Sequence, residues 1–210
     1  MLVTTNYGTG MEKKDTKTRQ AEIVSMAVAI IGETGVSGLT TARLAKRLNM
    51  SEPNLYRHFN NKEAILSAVI DDIGSVIMDK AVFIAGQSIS PGKKLENIMA
   101  SHINEVEQRS GIPRLIFSED MHVRYPQLRG KLMERIGGYI STIEKTVEEG
   151  MADGTFRQDI NARETARTYL GMVQFAAMRW SISGFAFPLR EEGRRLWGNF
   201  SRMIKDQGAL

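Results

Sequence analysis

The residues that decide the fold run from Leu39 to Leu66 and read LTTARLAKRLNMSEPNLYRHFNNKEAIL. Each half of this stretch carries apolar residues at helical spacing, namely Leu44, Ala45 and Leu48 in the first half and Leu55 and Phe59 in the second. The pattern predicts two short helices that turn their apolar faces inward.

Helix-capping residues mark where these two helices begin. Thr40 or Thr41 can cap the first helix and Ser51 the second, because a hydroxyl accepts a hydrogen bond from a free backbone N–H. Pro53 falls in the first turn of the second helix, where its missing N–H costs nothing. A turn at 49–50 joins the pair, and a longer helix over 16–34 precedes it. This order is typical of a helix-turn-helix, whose second helix fits the major groove of DNA.

The outer face of this motif is chemically suited to DNA. Its side chains are hydrogen-bond donors or mixed donors and acceptors, namely Ser51, Asn54, Tyr56, Arg57 and His58. Thr40 and Thr41 lie at a helix N-terminus, which favours phosphate, and Lys62 opens the next helix within reach of the DNA backbone. The alternative is that these side chains are plain surface residues of a packed helix hairpin.

The ordered string from Leu55 to Phe59, followed by Lys62-Glu63, resembles the DNA-binding domain of the TetR family of one-component transcriptional regulators. The resemblance covers residues 16–62 closely, while the later helices match only in number and length. It implies DNA contacts by Thr40, Thr41, Pro53, Asn54, Tyr56, His58 and Lys62. Arg43 and Arg57 are further candidate contacts on local grounds. Glu52 departs from what phosphate favours, and acts either at the helix N-terminus or as an acceptor for a cytosine amine.

The charge distribution agrees with a DNA-binding N-terminal part. The 210 residues have a net charge of +4. Residues 1–62 hold nine basic and five acidic side chains, so the whole excess lies there. Lys13, Lys14, Lys17 and Arg19 either contact phosphate or belong to a solvated arm. A positive excess at one end of a neutral body favours a nucleic-acid partner.

Composition and motifs exclude several classes of protein. The chain has no cysteine, which rules out disulfides and Cys-based zinc sites. It carries no P-loop, G-x-S-x-G or H-E-x-x-H motif, so we expect no enzyme, no metal site and no cofactor. No apolar run approaches the roughly 18 residues that span a bilayer, and residues 1–10 lack a secretory core. We therefore expect a cytoplasmic, nucleoid-associated bacterial protein with no membrane partner.

Helix-starting and helix-ending residues recur along the whole chain and predict an all-α fold of about nine helices. We expect a flexible tail at 1–15, a helix-turn-helix DNA-binding domain at 16–62, and a helical effector-binding and dimerisation domain at 63–210. No linker separates the last two, so the helix that Lys62 opens belongs to both.

The family resemblance implies that the last two helices of each subunit form a four-helix dimer interface. These helices are rich in apolar residues, and the predicted interface consists of Tyr169, Val173, Ala176, Trp180, Leu196, Trp197, Phe200 and Ile204. The alternative is that both helices pack inside the subunit.

The resemblance also implies a cavity for a small effector between the middle helices. Met and aromatic residues suggest its walls, namely Phe83, Met99, Ile103, Phe117, Met121, Tyr139, Ile143, Met172 and Phe175, although each can equally be plain core. The candidates for polar contacts are His102, Asn104, Glu105, His122, Arg124 and Gln174. Because no charged cluster stands out, we predict a neutral, mostly apolar effector.

Together these features predict a homodimeric repressor that binds an inverted-repeat operator in double-stranded DNA and is released by its effector. The alternative is an effector-independent architectural or nucleoid-associated factor that also binds DNA. Both predictions depend on the outer face of the second short helix.

Overall fold

The computed structural model describes residues 15–205, and this part of the chain is all-α, as predicted. Its ten helices are α1 Thr16–Thr34, α2 Thr41–Arg47, α3 Glu52–Tyr56, α4 Lys62–Ala85, α5 Pro91–Gln108, α6 Gly111–Ile116, α7 Glu119–Arg124, α8 Pro126–Ala152, α9 Ala162–Ile182 and α10 Leu189–Ile204. The predicted tail lies outside the described residues except for Asp15, whose carboxylate accepts the Thr18 N–H at 2.8 Å and caps α1.

The described residues contain one helix more than the nine expected. Sequence spacing predicts a single short helix that follows Gly111-Ile112-Pro113 and ends near Val123, but Phe117 ends α6 and Ser118 caps a new helix. The Ser118 hydroxyl accepts the N–H of Met121 at 3.2 Å. A capping serine between two apolar runs is the sequence feature that separates these helices.

Helices α1 to α3 form the headpiece, and the side chains of Ile30, Leu44 and Leu55 are fully buried in its core. Asn49 joins α2 to α3 with a φ of 52°. Asparagine tolerates this left-handed conformation better than most residues do. Thr40 is the observed cap of α2, because its Oγ1 accepts the Arg43 N–H at 3.1 Å. The predicted helix-turn-helix is therefore confirmed.

Helix α4 leaves the headpiece and continues into the body, where it packs on α5 and α8. Lys80 of α4 donates to the buried carboxylate of Glu105 on α5 at 2.9 Å. Asp71 of α4 forms ion pairs with Lys131 and Arg135 of α8. The body is completed by α9 against α8 and by α10 against α5 and α9.

Helix α6 meets α1 through two facing glycines, Gly32 and Gly111, both buried. A Cβ built on Gly111 would fall within 3.0 Å of the carbonyl oxygen of Val28. Beside this contact, Arg114 donates to the carbonyl oxygen of Glu33 at 3.0 Å. The body therefore touches the headpiece at a backbone separation that only glycine allows.

Candidate DNA interface and effector cavity

The short helix α3 presents a polar outer face, as the sequence predicts. Tyr56 is 45% exposed, and Ser51, Pro53 and Arg57 are exposed as well. Asn54 is half-buried at the edge of the same face. Leu55 points the other way and has no exposed surface. Donor and acceptor groups are therefore available at the surface, as contact with base edges requires.

Glu52 joins the two helices of the motif, a role that sequence reasoning does not identify. Its carboxylate accepts a hydrogen bond from the Thr41 hydroxyl at 2.7 Å. The Tyr56 hydroxyl in turn lies 3.5 Å from Thr41 Oγ1. Glu52 thus links the N-terminal ends of α2 and α3. This role explains why an acidic side chain lies on a face suited to DNA.

Two predicted cationic contacts are anchored near the C-terminal end of α1. Lys62 donates to the carbonyl oxygen of Val36 at 2.8 Å, and partial burial lowers the pKa of its amine. Arg43 is exposed and donates to the Thr34 hydroxyl at 3.2 Å. Arg57, by contrast, is exposed and forms no ion pair with any residue in 15–205. Of the three cations Arg43, Arg57 and Lys62, only Arg57 has no side-chain partner among residues 15–205, so it is free to reach phosphate or a base.

The remaining predicted contacts lie beside this face. Thr40 is exposed and Thr41 is half-buried at the N-terminus of α2. His58 is half-buried, and its Nδ1 is buried without a hydrogen-bond partner in the described part of the chain. None of the ten predicted DNA contacts is buried: six are exposed and four, namely Thr41, Asn54, His58 and Lys62, are half-buried.

The body contains a cavity between α4, α5, α6, α8 and α9. Its water-accessible volume is about 80 Å³. The walls are mostly aliphatic and include Ile73 and Ile77 of α4, Ile112 of α6 and Val173 of α9. The signal that could have located the α4 wall is its apolar stripe at helical spacing over residues 70, 73, 74, 77 and 78.

Two of the predicted wall residues, Phe117 and Tyr139, line this cavity. The others lie elsewhere. Phe83 is 70% exposed and Phe175 57% exposed, and Met172 is half-buried against the core. Met99 and Ile103 face the α5–α10 groove, and Met121 and Ile143 are core. Residue type and helical spacing identify apolar helix positions, but only the packing decides which face meets the cavity.

Of the six polar candidates, only His102 and Gln174 line the cavity. The others have other roles or positions: Glu105 pairs with Lys80 and Arg109, Arg124 pairs with Asp120, His122 contacts the Ile116 carbonyl oxygen, and Asn104 accepts from Gln108. The cavity is thus mostly apolar with a few polar groups, as ligand sites usually are.

A short polar chain closes one side of the cavity. His102 Nδ1 lies 3.1 Å from the Tyr139 hydroxyl, and the two rings meet edge to face. The Tyr169 hydroxyl donates to the carbonyl oxygen of Leu95 at 2.7 Å. Burial lowers the pKa of His102 to about 4, so that its imidazole is neutral at neutral pH. Burial likewise raises the pKa of Tyr139, so its hydroxyl keeps its proton.

The predicted dimer residues are mainly interior to the subunit. Six of them are at most 5% exposed, namely Tyr169, Val173, Ala176, Trp180, Phe200 and Ile204, and Leu196 and Trp197 are half-buried. The six buried side chains already pack inside the protomer and have no surface left for a partner. Helix α9 presents Phe175 and Ile182 outward instead, 57% and 78% exposed.

Two kinds of feature are absent from the described part of the chain. Within residues 15–205, no three histidine, aspartate or glutamate side chains lie together as a metal-binding group. None of the helices described here combines the length and apolar character required to cross a membrane.

Comparison with known proteins agrees with this architecture. Residues 23–69 match the family described as bacterial regulatory proteins of the tetR family, and residues 70–198 match the C-terminal region of YsiA-like proteins. The nucleoid occlusion factor SlmA of Vibrio campbellii is 25% identical over 197 residues, which span 91% of this chain and 98% of SlmA. A fatty acid metabolism regulator of Bacillus subtilis is 20% identical over 84% of this chain and 90% of its own length.

Solved structures share the fold. The fatty acid degradation regulator FadR of Bacillus halodurans superposes with a TM-score of 0.78 and 20% identity, covering 95% of this chain and 98% of FadR. FadR of Bacillus subtilis, solved in complex with stearoyl-CoA, gives a TM-score of 0.75 and 17% identity over 86% of this chain and 97% of its own. From the two family matches together with the exposed helix-turn-helix, the chain belongs to the TetR family of DNA-binding transcriptional regulators and is not an enzyme.

Proposed function

We propose that this protein is a homodimeric repressor that binds an inverted-repeat operator through α3 and leaves it when a small, mostly apolar effector enters the cavity. The observation that carries the proposal is that α4 and α6 both line the cavity and pack on α1. A ligand that displaces Ile73 or Ile112 therefore moves helices that support the headpiece. We propose two arrangements of the dimer that differ in the distance between the headpieces. The effector favours one arrangement and the operator favours the other.

An effector with a long apolar part fits this proposal. The cavity walls are aliphatic over most of their area, and burying apolar surface there favours a hydrocarbon ligand. The structural neighbour FadR of Bacillus subtilis was solved with stearoyl-CoA, a ligand with such a part. For the present chain we infer only the apolar character of the ligand from this likeness.

For the dimer, we propose the outward face of α9 in place of the residues predicted from the sequence. Phe175 and Ile182 lie on this face two helical turns apart, and exposed apolar side chains of this kind favour association. A twofold dimer would present two α3 helices to successive major grooves, with half-sites about 34–36 Å apart.

The second candidate function is DNA binding without an effector. The likeness to SlmA, a nucleoid occlusion factor, over 91% of this chain supports it. In either case the protein acts on the bacterial chromosome, in the cytoplasm and associated with the nucleoid. The two candidates differ in whether any ligand of the cavity releases DNA.

The DNA surface is tested with an operator selected from random duplexes and with two matched arginine variants. Arg57→Ala should raise the operator Kd about tenfold and lower the salt dependence of binding by roughly one counterion, since Arg57 is exposed and unpaired. Arg163→Ala is the control, because Arg163 is also exposed but does not belong to the helix-turn-helix. It lies in the first turn of α9, a helix of the body that is about 30 Å long. Equal Kd values for both variants would refute the assigned surface.

The effector is tested on the same complex. Mostly apolar metabolites are screened for an increase in melting temperature, and each hit is added to the protein–operator complex. Release of the duplex by a hit supports the repressor. A screen in which stabilising ligands leave operator binding unchanged favours the effector-independent factor.

A further inference from the structure

We propose that Arg135 binds a carboxylate of the ligand at the mouth of the cavity, so that the cavity prefers apolar monocarboxylates over neutral or cationic molecules of the same length. This inference rests on the proposed effector cavity and names the chemical class of its ligand. It adds one charged contact to walls that otherwise favour apolar groups.

Arg135 is the one charged side chain that lines the cavity in the described part of the chain. It belongs to α8, and its stem crosses α4 at Gly74, where a built Cβ would lie 3.1 Å from Arg135 Cδ. Gly74 itself and the neighbouring Ile73 and Ile136 also line the cavity. Because the Arg135 side chain is 40% exposed, this crossing lies where the cavity meets solvent.

The charges around Arg135 do not balance. Its Nη2 donates to one carboxylate oxygen of Asp71 at 3.0 Å, and Lys131 pairs with the other oxygen of the same carboxylate. Two cations therefore share one acid, and neither cation forms another ion pair within residues 15–205. The excess of one positive charge beside an apolar cavity favours a ligand with a single negative charge.

The guanidinium of Arg135 also has N–H groups to spare. It carries five donors in a planar fork, and only its Nη2 has an acceptor among the described residues. A carboxylate fits this fork with two parallel hydrogen bonds. A ligand hydroxyl can accept from the fork but brings no charge, and an ammonium group is repelled.

The apolar part of the ligand is short. The water-accessible volume of about 80 Å³ holds roughly five to eight water-sized groups. The walls next to Arg135 are aliphatic, so methylene groups rather than polar groups are favoured there. A chain of about eight carbons with its carboxylate at the mouth matches this space.

The test compares three ligands with the same eight-carbon chain, namely octanoate, n-octanol and n-octylamine. Their Kd values for the DNA-free protein are measured by calorimetry at low salt. We expect octanoate to bind about fivefold more tightly than n-octanol, and n-octylamine to bind most weakly. Added salt should weaken the binding of octanoate and leave that of n-octanol unchanged, because Arg135 is partly exposed. Equal Kd values, a preference for the alcohol or the amine, or no binding of any of them would overturn the assignment.

Variants of α8 separate a contact with the ligand from a general effect of charge. Arg135→Gln removes the charge, so the preference for octanoate over n-octanol should be lost, whereas Arg135→Lys should keep part of it. Arg129→Gln is the matched control, because Arg129 is an exposed arginine of the same helix that does not line the cavity. The Kd of n-octanol in each variant reports whether the cavity is intact. An unchanged preference in Arg135→Gln, or an equal loss in Arg129→Gln, would refute the proposal.

The acid that already pairs with Arg135 provides an independent test. Asp71 competes with the ligand for the guanidinium, so Asp71→Asn should tighten the binding of octanoate severalfold without affecting n-octanol. Weaker binding of octanoate with an unchanged Kd for n-octanol would contradict a carboxylate on Arg135.

Failure of this inference is distinguishable from failure of the proposed function. If the three ligands bind alike and any of them releases the selected operator, the repressor stands and only the carboxylate contact is wrong. If octanoate binds as expected but the operator stays bound, the carboxylate site stands and the effector role is wrong.

Discussion

Replacing Gly111 by alanine should uncouple the body from the headpiece at a defined energetic cost. The new Cβ would lie within 3.0 Å of the Val28 carbonyl oxygen and 3.0 Å from Val28 Cγ1. No rotamer change relieves a clash with a backbone carbonyl, so α6 must move away from α1. Overpacking of this kind costs about 1–3 kcal/mol.

Part of this cost is offset, because alanine favours a helix over glycine by roughly 0.5–1 kcal/mol. We therefore expect the free energy of unfolding to fall by about 1 kcal/mol, and the melting temperature of a chain of this size by about 2–4 °C. Calorimetry and urea unfolding measure both quantities.

The control is Gly137→Ala in the middle of α8. Gly137 is exposed, and its Cβ would meet nothing within 4 Å. This variant should be as stable as the wild type or more stable by about 0.5–1 kcal/mol. If Gly111→Ala is no less stable than Gly137→Ala, the tight backbone contact between α6 and α1 is not present in solution.

Three further predictions concern other parts of the molecule. Phe175→Glu places a charge on the outer face of α9 and should convert the dimer to monomer in sedimentation velocity, whereas a dimer of unchanged stability would exclude this face. Glu52→Gln weakens the acceptor of the Thr41 hydroxyl and should raise the operator Kd severalfold with little change in melting temperature; an unchanged Kd would assign Glu52 no part in orienting α3. Burial lowers the pKa of His102 from 6.5 to about 4, so between these pH values the unfolded state binds one proton more than the folded state. The free energy of unfolding should therefore fall as pH decreases from about 7 toward 4, by roughly 3 kcal/mol in all. In His102→Phe this part of the pH dependence should vanish, and parallel stability curves for the two proteins would contradict a buried neutral His102.

The headpiece could be predicted almost completely from the sequence. Its helices are short and are bounded by residues with strong local preferences, such as Ser51 as a cap and Asn49 in the left-handed turn. Alternation between Leu55 inside and Tyr56 outside follows from helical geometry alone. Local rules were sufficient because each of these choices depends on neighbours within a few residues.

The body could be predicted only as a set of helices. Tyr169 and Phe175 are both aromatic residues of α9, but the first is fully buried and the second is 57% exposed. Tyr169 therefore has no exposed surface for the predicted dimer contact, and Phe175 does not line the cavity between the middle helices. Helix α9 is apolar on more than one side, and periodicity cannot say which side faces the core, the cavity or a partner.

What the sequence determined by itself is therefore the helix-turn-helix, its polar outer face and its family, because these depend on short-range spacing and capping. Only the tertiary structure decided that Gly111 touches Val28, that His102 meets Tyr139, and that α4 and α6 share a cavity. These contacts join residues that are far apart in the chain, and they form only when whole helices pack at fixed angles and distances.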